Sequence, residues 1–132
     1  MQAYYIGSEV YEDAKTGLMW QDNKTSQFTL KDWEGAKAFC RKLSLNGYKN
    51  WRLPSIKEFE TILGKGPRNN DIKKGFKYIG ATGYYWTNNA HDSYDAFAWM
   101  MNFKRGYAYN NYKTYKRHIR CVRGKQIIKH FQ

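Results

Sequence analysis

The apolar positions of this chain change period part-way along it, helical in the first half and strand-like in the second. From Thr29 to Ser44, the residues Leu30, Trp33, Ala36, Phe39, Cys40 and Leu43 recur every three or four positions, the spacing of one buried helical face. Lys31, Glu34, Lys37, Arg41 and Lys42 fall mostly on the wet side. Thr29 is the predicted N-cap, with Asp32 three residues on near the positive end of the helix dipole, and Asn46-Gly47 is the predicted stop. A shorter helix is predicted from Ser55, where Ser-Ile-Lys-Glu reads as a capping box closed by Glu58. Ile56, Phe59, Ile62 and Leu63 form its buried stripe, and Gly64 and Gly66 end it.

Ahead of the helices, Val10-Tyr11 and Leu18-Met19-Trp20 flank Asp13-Ala14-Lys15-Thr16-Gly17, which predicts a hairpin whose glycine supplies a positive φ. Behind them, residues 64–83 form a long, polar, basic connection. The period then becomes two. Tyr84–Thr87 is one predicted strand, and Ala96–Phe103 is another, with Phe97, Trp99, Met101 and Phe103 on one side. Lys104-Arg105-Gly106 turns the chain into Tyr107–Tyr112, and a last strand runs from about Arg117 to Arg123. Two helices followed by an antiparallel sheet is an α+β layout, and 132 residues suit a single domain, residues 1–132.

Composition sharpens this picture in two ways. Twelve Tyr, seven Phe and five Trp mean that large rings supply much of the core and some of the surface. The formal charge of +12 is concentrated: residues 1–30 carry −2, residues 31–64 carry +3, and residues 65–132 hold fourteen bases and three acids. Such a skew favours a polyanionic partner, whether acidic glycan, nucleic acid, anionic lipid or acidic protein. Against that stands a basic surface kept for solubility. No stretch is apolar enough for a membrane span, and Met1-Gln2-Ala3-Tyr4-Tyr5 is no leader peptide.

Two cysteines sit in ordered-looking stretches, Cys40 on the inner helix face and Cys121 in the last predicted strand. Joined, they tie the first helix to the last strand and place the chain in an oxidising compartment. Left free, they are two small buried hydrophobes. Their spacing leaves both readings open.

Catalytic patterns are weak. His91, His118 and His130 show no metal spacing, and there is no nucleophile elbow or phosphate-cradling glycine loop. Glu58 and Glu60 lie two apart on a helix and point to different faces. No enzyme activity, metal or cofactor is expected. Asn88, Asn89, Asp92 and Asp95 make an oxygen-rich loop, but two carboxylates are few for calcium, and turn formation explains them as well.

The blocks Thr16-Gly17-Leu18-Met19-Trp20-Gln21, Ala36–Cys40, Trp51-Arg52-Leu53-Pro54-Ser55, Lys57–Glu60, Tyr84-Tyr85-Trp86-Thr87 and Ile119-Arg120-Cys121-Val122-Arg123-Gly124 occur in the order of one family. They resemble the bacterial Lcl-type C-terminal domain, formerly a domain of unknown function, across roughly residues 10–124. The resemblance implies a C-type-lectin-like fold, two helices packed on a twisted antiparallel sheet, and a Cys40–Cys121 bridge. It further implies a domain borne on exported bacterial proteins, extracellular, surface-bound or periplasmic, with an export leader beyond this sequence. A collagen-like adhesin of the family suggests sulfated, glycosaminoglycan-type glycans as ligands. It also sorts the cations. Arg52, Arg120 and Arg123 lie inside the family blocks and are expected to pair acids or cap carbonyls. Lys73, Lys74, Lys77, Lys104, Arg105, Lys113, Lys116, Arg117, Lys125 and Lys129 lie outside them.

The expected ligand surface is Lys104, Arg105, Tyr107, Tyr109, Tyr112, Lys113, Lys116 and Arg117, with Tyr115 interleaved: rings for sugar faces, cations for sulfate or carboxylate. A half-buried sheet face is the competing explanation of the tyrosines, and plain solvation that of the lysines. The alternative function is a protein-docking module of a surface, pilus or phage-tip assembly. Nucleic acid is the weaker partner, since the export-type disulfide and the lack of a recognised motif both stand against it.

Overall fold

The structure is a computed structural model that describes residues 9–64, 75–80 and 83–127, and of residues 4–6 the backbone alone. Lys73, Lys74, Lys129 and His130 lie outside these residues.

The predicted hairpin forms. Strand β2 (Val10–Glu12) pairs antiparallel with β3 (Met19–Gln21), and β1 (Tyr4–Ile6) pairs with β2. Asp13 builds the turn: its carboxylate accepts from the Lys15 amide and the Thr16 hydroxyl, and Gly17 takes φ 77°.

The first predicted helix starts later than expected, because two capping signals compete for the segment. Asn23 and Ser26 cap each other reciprocally and nucleate α1 (Lys24–Phe28), whose C-cap is Thr29, the expected N-cap of the next helix. Leu30–Lys31 then forms the short strand β4, leaving Leu30 exposed instead of buried. Asp32 caps α2 (Trp33–Lys42) by accepting from the Gly35 amide at 2.8 Å. Trp33, Ala36 and Cys40 face the core as predicted. Asn46 and Gly47, both at positive φ, turn the chain after α2 has already ended. The Ser55/Glu58 capping box starts α3 (Ile56–Glu60), which buries Phe59 and Glu58.

The second half builds β5 (Tyr84–Ala90), β6 (Phe97–Asn102), β7 (Tyr107–Tyr112), β8 (Arg117–His118) and β9 (Val122–Arg123). The expected final strand is thus two strands in two sheets. Ile119, Arg120 and Cys121 between them are fully buried, and the chain crosses from one sheet to the other there. One sheet has the order β1-β2-β3-β9 and the other β4-β8-β5-β6-β7. The larger is mixed, not purely antiparallel, because β8 runs parallel to β5 at Tyr85↔His118. The α+β class holds, with three helices instead of two among the described residues.

Both faces of the larger sheet are covered. Trp86 and Met100, paired across β5 and β6, enter one core cluster with Trp33, Cys40, Trp51 and Ile119. Their neighbours Tyr85 and Met101 enter a second, with Trp20, Phe59, Phe76 and Phe103. The disulfide Cys40–Cys121 is formed, spanning 81 residues with the Cα atoms 5.6 Å apart.

Three arginines brace this frame. Arg120 is fully buried, pairs with buried Asp22 at 3.0 Å, and donates to the carbonyls of Gln21 and Tyr78. Asp22 also accepts from the amides of Lys77 and Tyr78, which fastens residues 76–80 to the core. Arg52 forms a fork with buried Glu58 at 2.7 and 2.8 Å. Arg123 donates to the Lys49 carbonyl at 2.7 Å. The sorting of these three as structural residues is borne out.

Candidate functional site

The β6–β7 turn is built by Asn102, whose side-chain oxygen accepts from the amides of Lys104 and Arg105, while Gly106 adopts φ 83°. That leaves Lys104 and Arg105 exposed at the tip. The register Asn102↔Tyr107 to Phe97↔Tyr112 then fixes which face each tyrosine takes. Tyr107 and Tyr109 share the α2 side with Met100, and Tyr112 shares the other with Phe97.

Tyr107 and Tyr109 stack with centroids 5.0 Å apart, and the Tyr109 hydroxyl donates to that of Tyr107 at 3.0 Å. That hydrogen bond, ahead of slight desolvation, pushes the Tyr109 hydroxyl above the usual tyrosine range, so it remains a neutral donor. Tyr109 meets Tyr84 edge-on at 6.3 Å. The Arg117 guanidinium lies 5.4 Å from the Tyr84 ring and 5.1 Å from Tyr115. Tyr115 meets Tyr112 at 5.8 Å, and Tyr112 meets Phe97 at 4.7 Å.

The ring contacts therefore run from Tyr107 and Tyr109 on the α2 side, by way of Tyr84, Arg117 and Tyr115, to Tyr112 on the other side of the sheet, with Lys104 and Arg105 at the adjoining turn. Lys116 is exposed beside Arg117. Lys113 is drawn away: its ammonium lies 4.8 Å from the Trp33 ring, which Lys37 also contacts at 3.7 Å. Tyr84 and Phe97 were missed as members of this surface. Their strand positions were legible, but contacts to partners 15 or more residues away were not. Beyond Phe97, the path reaches His91, Tyr94 and Trp99, with His91 stacked on Trp99 at 5.7 Å.

Charge separates this surface from the braced core. From Ala96 to Gln132 the sequence has no Asp or Glu. Among the described residues no carboxylate pairs with Lys104, Arg105, Lys113, Lys116 or Arg117, whereas Lys37, Arg52, Lys57 and Arg120 each have one.

A cleft of about 320 Å³ lies elsewhere, lined by Ser55, Ile56, Lys57, Glu60, Asn89, Gln126 and Ile127. Several of its polar groups are engaged internally: Ser55 donates to the Ile127 carbonyl, the Asn89 side-chain oxygen accepts from the Ile56 amide, and Lys57 pairs with Glu60. Asn89 is thereby occupied in holding α3, and Asp92 and Asp95 are exposed. Among the described residues no three His, Cys, Asp or Glu side chains gather as a metal site requires. Nor is any described helix long and apolar enough to cross a membrane.

The model of the Lcl C-terminal domain family matches residues 9–123. This chain belongs to that family. Its exposed tyrosines suit an interaction surface. A search of curated proteins finds no match to this Lcl-type domain.

Proposed function

We propose that this Lcl-type domain is an extracellular recognition module of C-type-lectin-like architecture that binds anionic glycans through its basic, tyrosine-rich hairpin surface. The observation that carries the reading is the set of cations beside exposed rings: Lys104, Arg105, Lys116 and Arg117 next to Tyr107, Tyr112 and Tyr115, with no carboxylate paired to any of the four among the described residues. Sulfate or carboxylate groups neutralise the cations while pyranose faces pack on the rings. The disulfide supports a location outside the reducing cytosol, where adhesion to acidic polysaccharide is the role that such a surface serves.

Retention on a heparin-type resin tests this. The domain is expected to bind at low salt and elute as salt rises, while an uncharged dextran resin fails to hold it. No retention at low salt, or elution indifferent to salt, contradicts the proposal.

One feature favours the second reading, a protein-docking module. Phe28 and Leu30 are exposed, and a separate shallow cleft is lined by Lys31, Gly35, Ala38, Phe39 and Lys42. Loss of partner capture on Phe28→Ser, with glycan retention intact, is the result that would favour it.

A further inference from the structure

The larger sheet ends in an open edge. In the order β4-β8-β5-β6-β7, strand β7 pairs with β6 alone, in unbroken register from Tyr107 to Tyr112. The Lys113 amide donates to the Ala96 carbonyl at 2.8 Å, and on the opposite side of β6 the Phe103 amide donates to the Gly83 carbonyl at 2.8 Å. Antiparallel alternation therefore turns the backbone groups of Tyr107, Tyr109 and Asn111 toward β6, and those of Ala108, Asn110 and Tyr112 outward. Tyr112 is already satisfied. Its amide donates to the Asn111 side-chain oxygen at 2.8 Å, and its carbonyl accepts from the Tyr115 amide at 3.1 Å. Among the described residues nothing bonds to the outward N–H and C=O groups of Ala108 and Asn110.

Proteins commonly blunt such an edge with a proline, a bulge or a very short strand. β7 has none of these. Its cations lie beyond its two ends, Lys104 and Arg105 before it and Lys113 and Lys116 after it, and no carboxylate pairs with them among the described residues. A second copy pairing edge to edge sets these cations against one another in either orientation, so like charge opposes self-association. An acidic strand meets attraction instead. Its side chains alternate between the two faces of the sheet, toward Tyr107 and Tyr109 on the α2 side and Tyr112 on the other.

We infer that β7 is a strand-addition edge for an extended acidic segment of a partner protein, held by the backbone groups of Ala108 and Asn110 and by the cations at both ends. This inference stands on backbone geometry and does not rest on the anionic-glycan reading.

The test is a titration of the domain with the synthetic peptide Glu-Val-Thr-Val-Thr-Glu, followed by amide NMR and hydrogen exchange. Exchange is expected to slow at the Ala108 and Asn110 amides, while Tyr107 and Tyr109, already bonded to β6, change little. N-methylation of one alternate set of peptide amides is expected to weaken binding about tenfold as hydrogen bonds are lost, and methylation of the other set to have little effect. Lys in place of both Glu should abolish binding. Asn110→Pro removes an outward N–H where an edge strand tolerates proline, and should likewise weaken the peptide. The methylated peptides leave the protein unaltered, so they decide the matter even if that variant unfolds. Unchanged exchange at Ala108 and Asn110 at millimolar peptide overturns the inference. So does equal binding by the parent and both methylated peptides, or by the Lys peptide. A dimer in sedimentation that Asn110→Pro dissolves would make a second copy the occupant and overturn it too. Retention on sulfated resin needs none of these bonds, so its failure strikes the glycan reading alone.

Discussion

Arg120 and Arg105 are the same residue type in the same basic half of the chain, yet the fold uses them in opposite ways. Arg120 is fully buried, pairs with Asp22 and closes the frame around residues 76–80. Arg105 is exposed on a turn and pairs with no carboxylate among the described residues. The same contrast separates Arg52, held by Glu58, from Lys104. What separates the two members of each pair is whether the tertiary fold delivers a carboxylate. Where it does, the cation is a strut. Where it does not, as at Lys104 and Arg105, the charge stays exposed.

The comparison breaks most visibly under single substitutions. Arg120→Ala takes the guanidinium away from the buried Asp22 carboxylate and should cost up to about 5 kcal/mol in urea unfolding, whereas Arg105→Ala should stay within about 0.5 kcal/mol. Equal costs would erase the distinction between strut and free charge. Next comes the bridge. Cys40→Ala with Cys121→Ala should lose about 4 kcal/mol in the loop-entropy account, read by the same unfolding curves. Gly80 has no room for a side chain: a Cβ built there stands 2.7 Å from the ring of buried His118. Gly80→Ala should therefore destabilise by about 1–3 kcal/mol, and a neutral result would mean that the 76–80 segment is not fastened as described.

The smallest expected effect depends on pH. Burial, and then the charges of Arg120 and Arg117, lower the His118 pKa from the ordinary 6.5. The unfolded chain then binds a proton that the folded chain refuses. Stability is full above about pH 6.5 and falls as pH drops from there toward the folded-state pKa. His118→Phe should flatten the acid limb of a stability–pH curve, and an unchanged limb would assign it to other groups.

The sequence was most legible where one local signal acted alone. The Asp13–Gly17 turn, the Ser55/Glu58 capping box and the core-facing Trp33, Ala36 and Cys40 all appear where local chemistry predicts them. It was least legible where signals competed. Asn23–Ser26 captured the segment before Thr29, so Thr29 ends α1, the strand β4 replaces the first turn of the expected helix, and Leu30 came out exposed. The alternation of Phe97, Trp99, Met101 and Phe103 was readable. What covers that face was not: Met101 and Phe103 are buried with Phe59, while Phe97 and Trp99 stay half-buried. In the candidate surface, the run of tyrosines and cations was visible as interleaving. That Lys113 leaves it for Trp33, and that Tyr84 joins it through Tyr109 and Arg117, depends on strand order alone.

The most direct measurement sets two charge reversals side by side on immobilised sulfated glycan across a salt series. Lys104→Glu with Arg105→Glu should weaken binding strongly and flatten its salt slope by about two charge contacts, while Lys31→Glu with Lys37→Glu should change both far less. Equal losses from the two pairs would mean that diffuse charge, with no site on the β6–β7 hairpin, accounts for the binding.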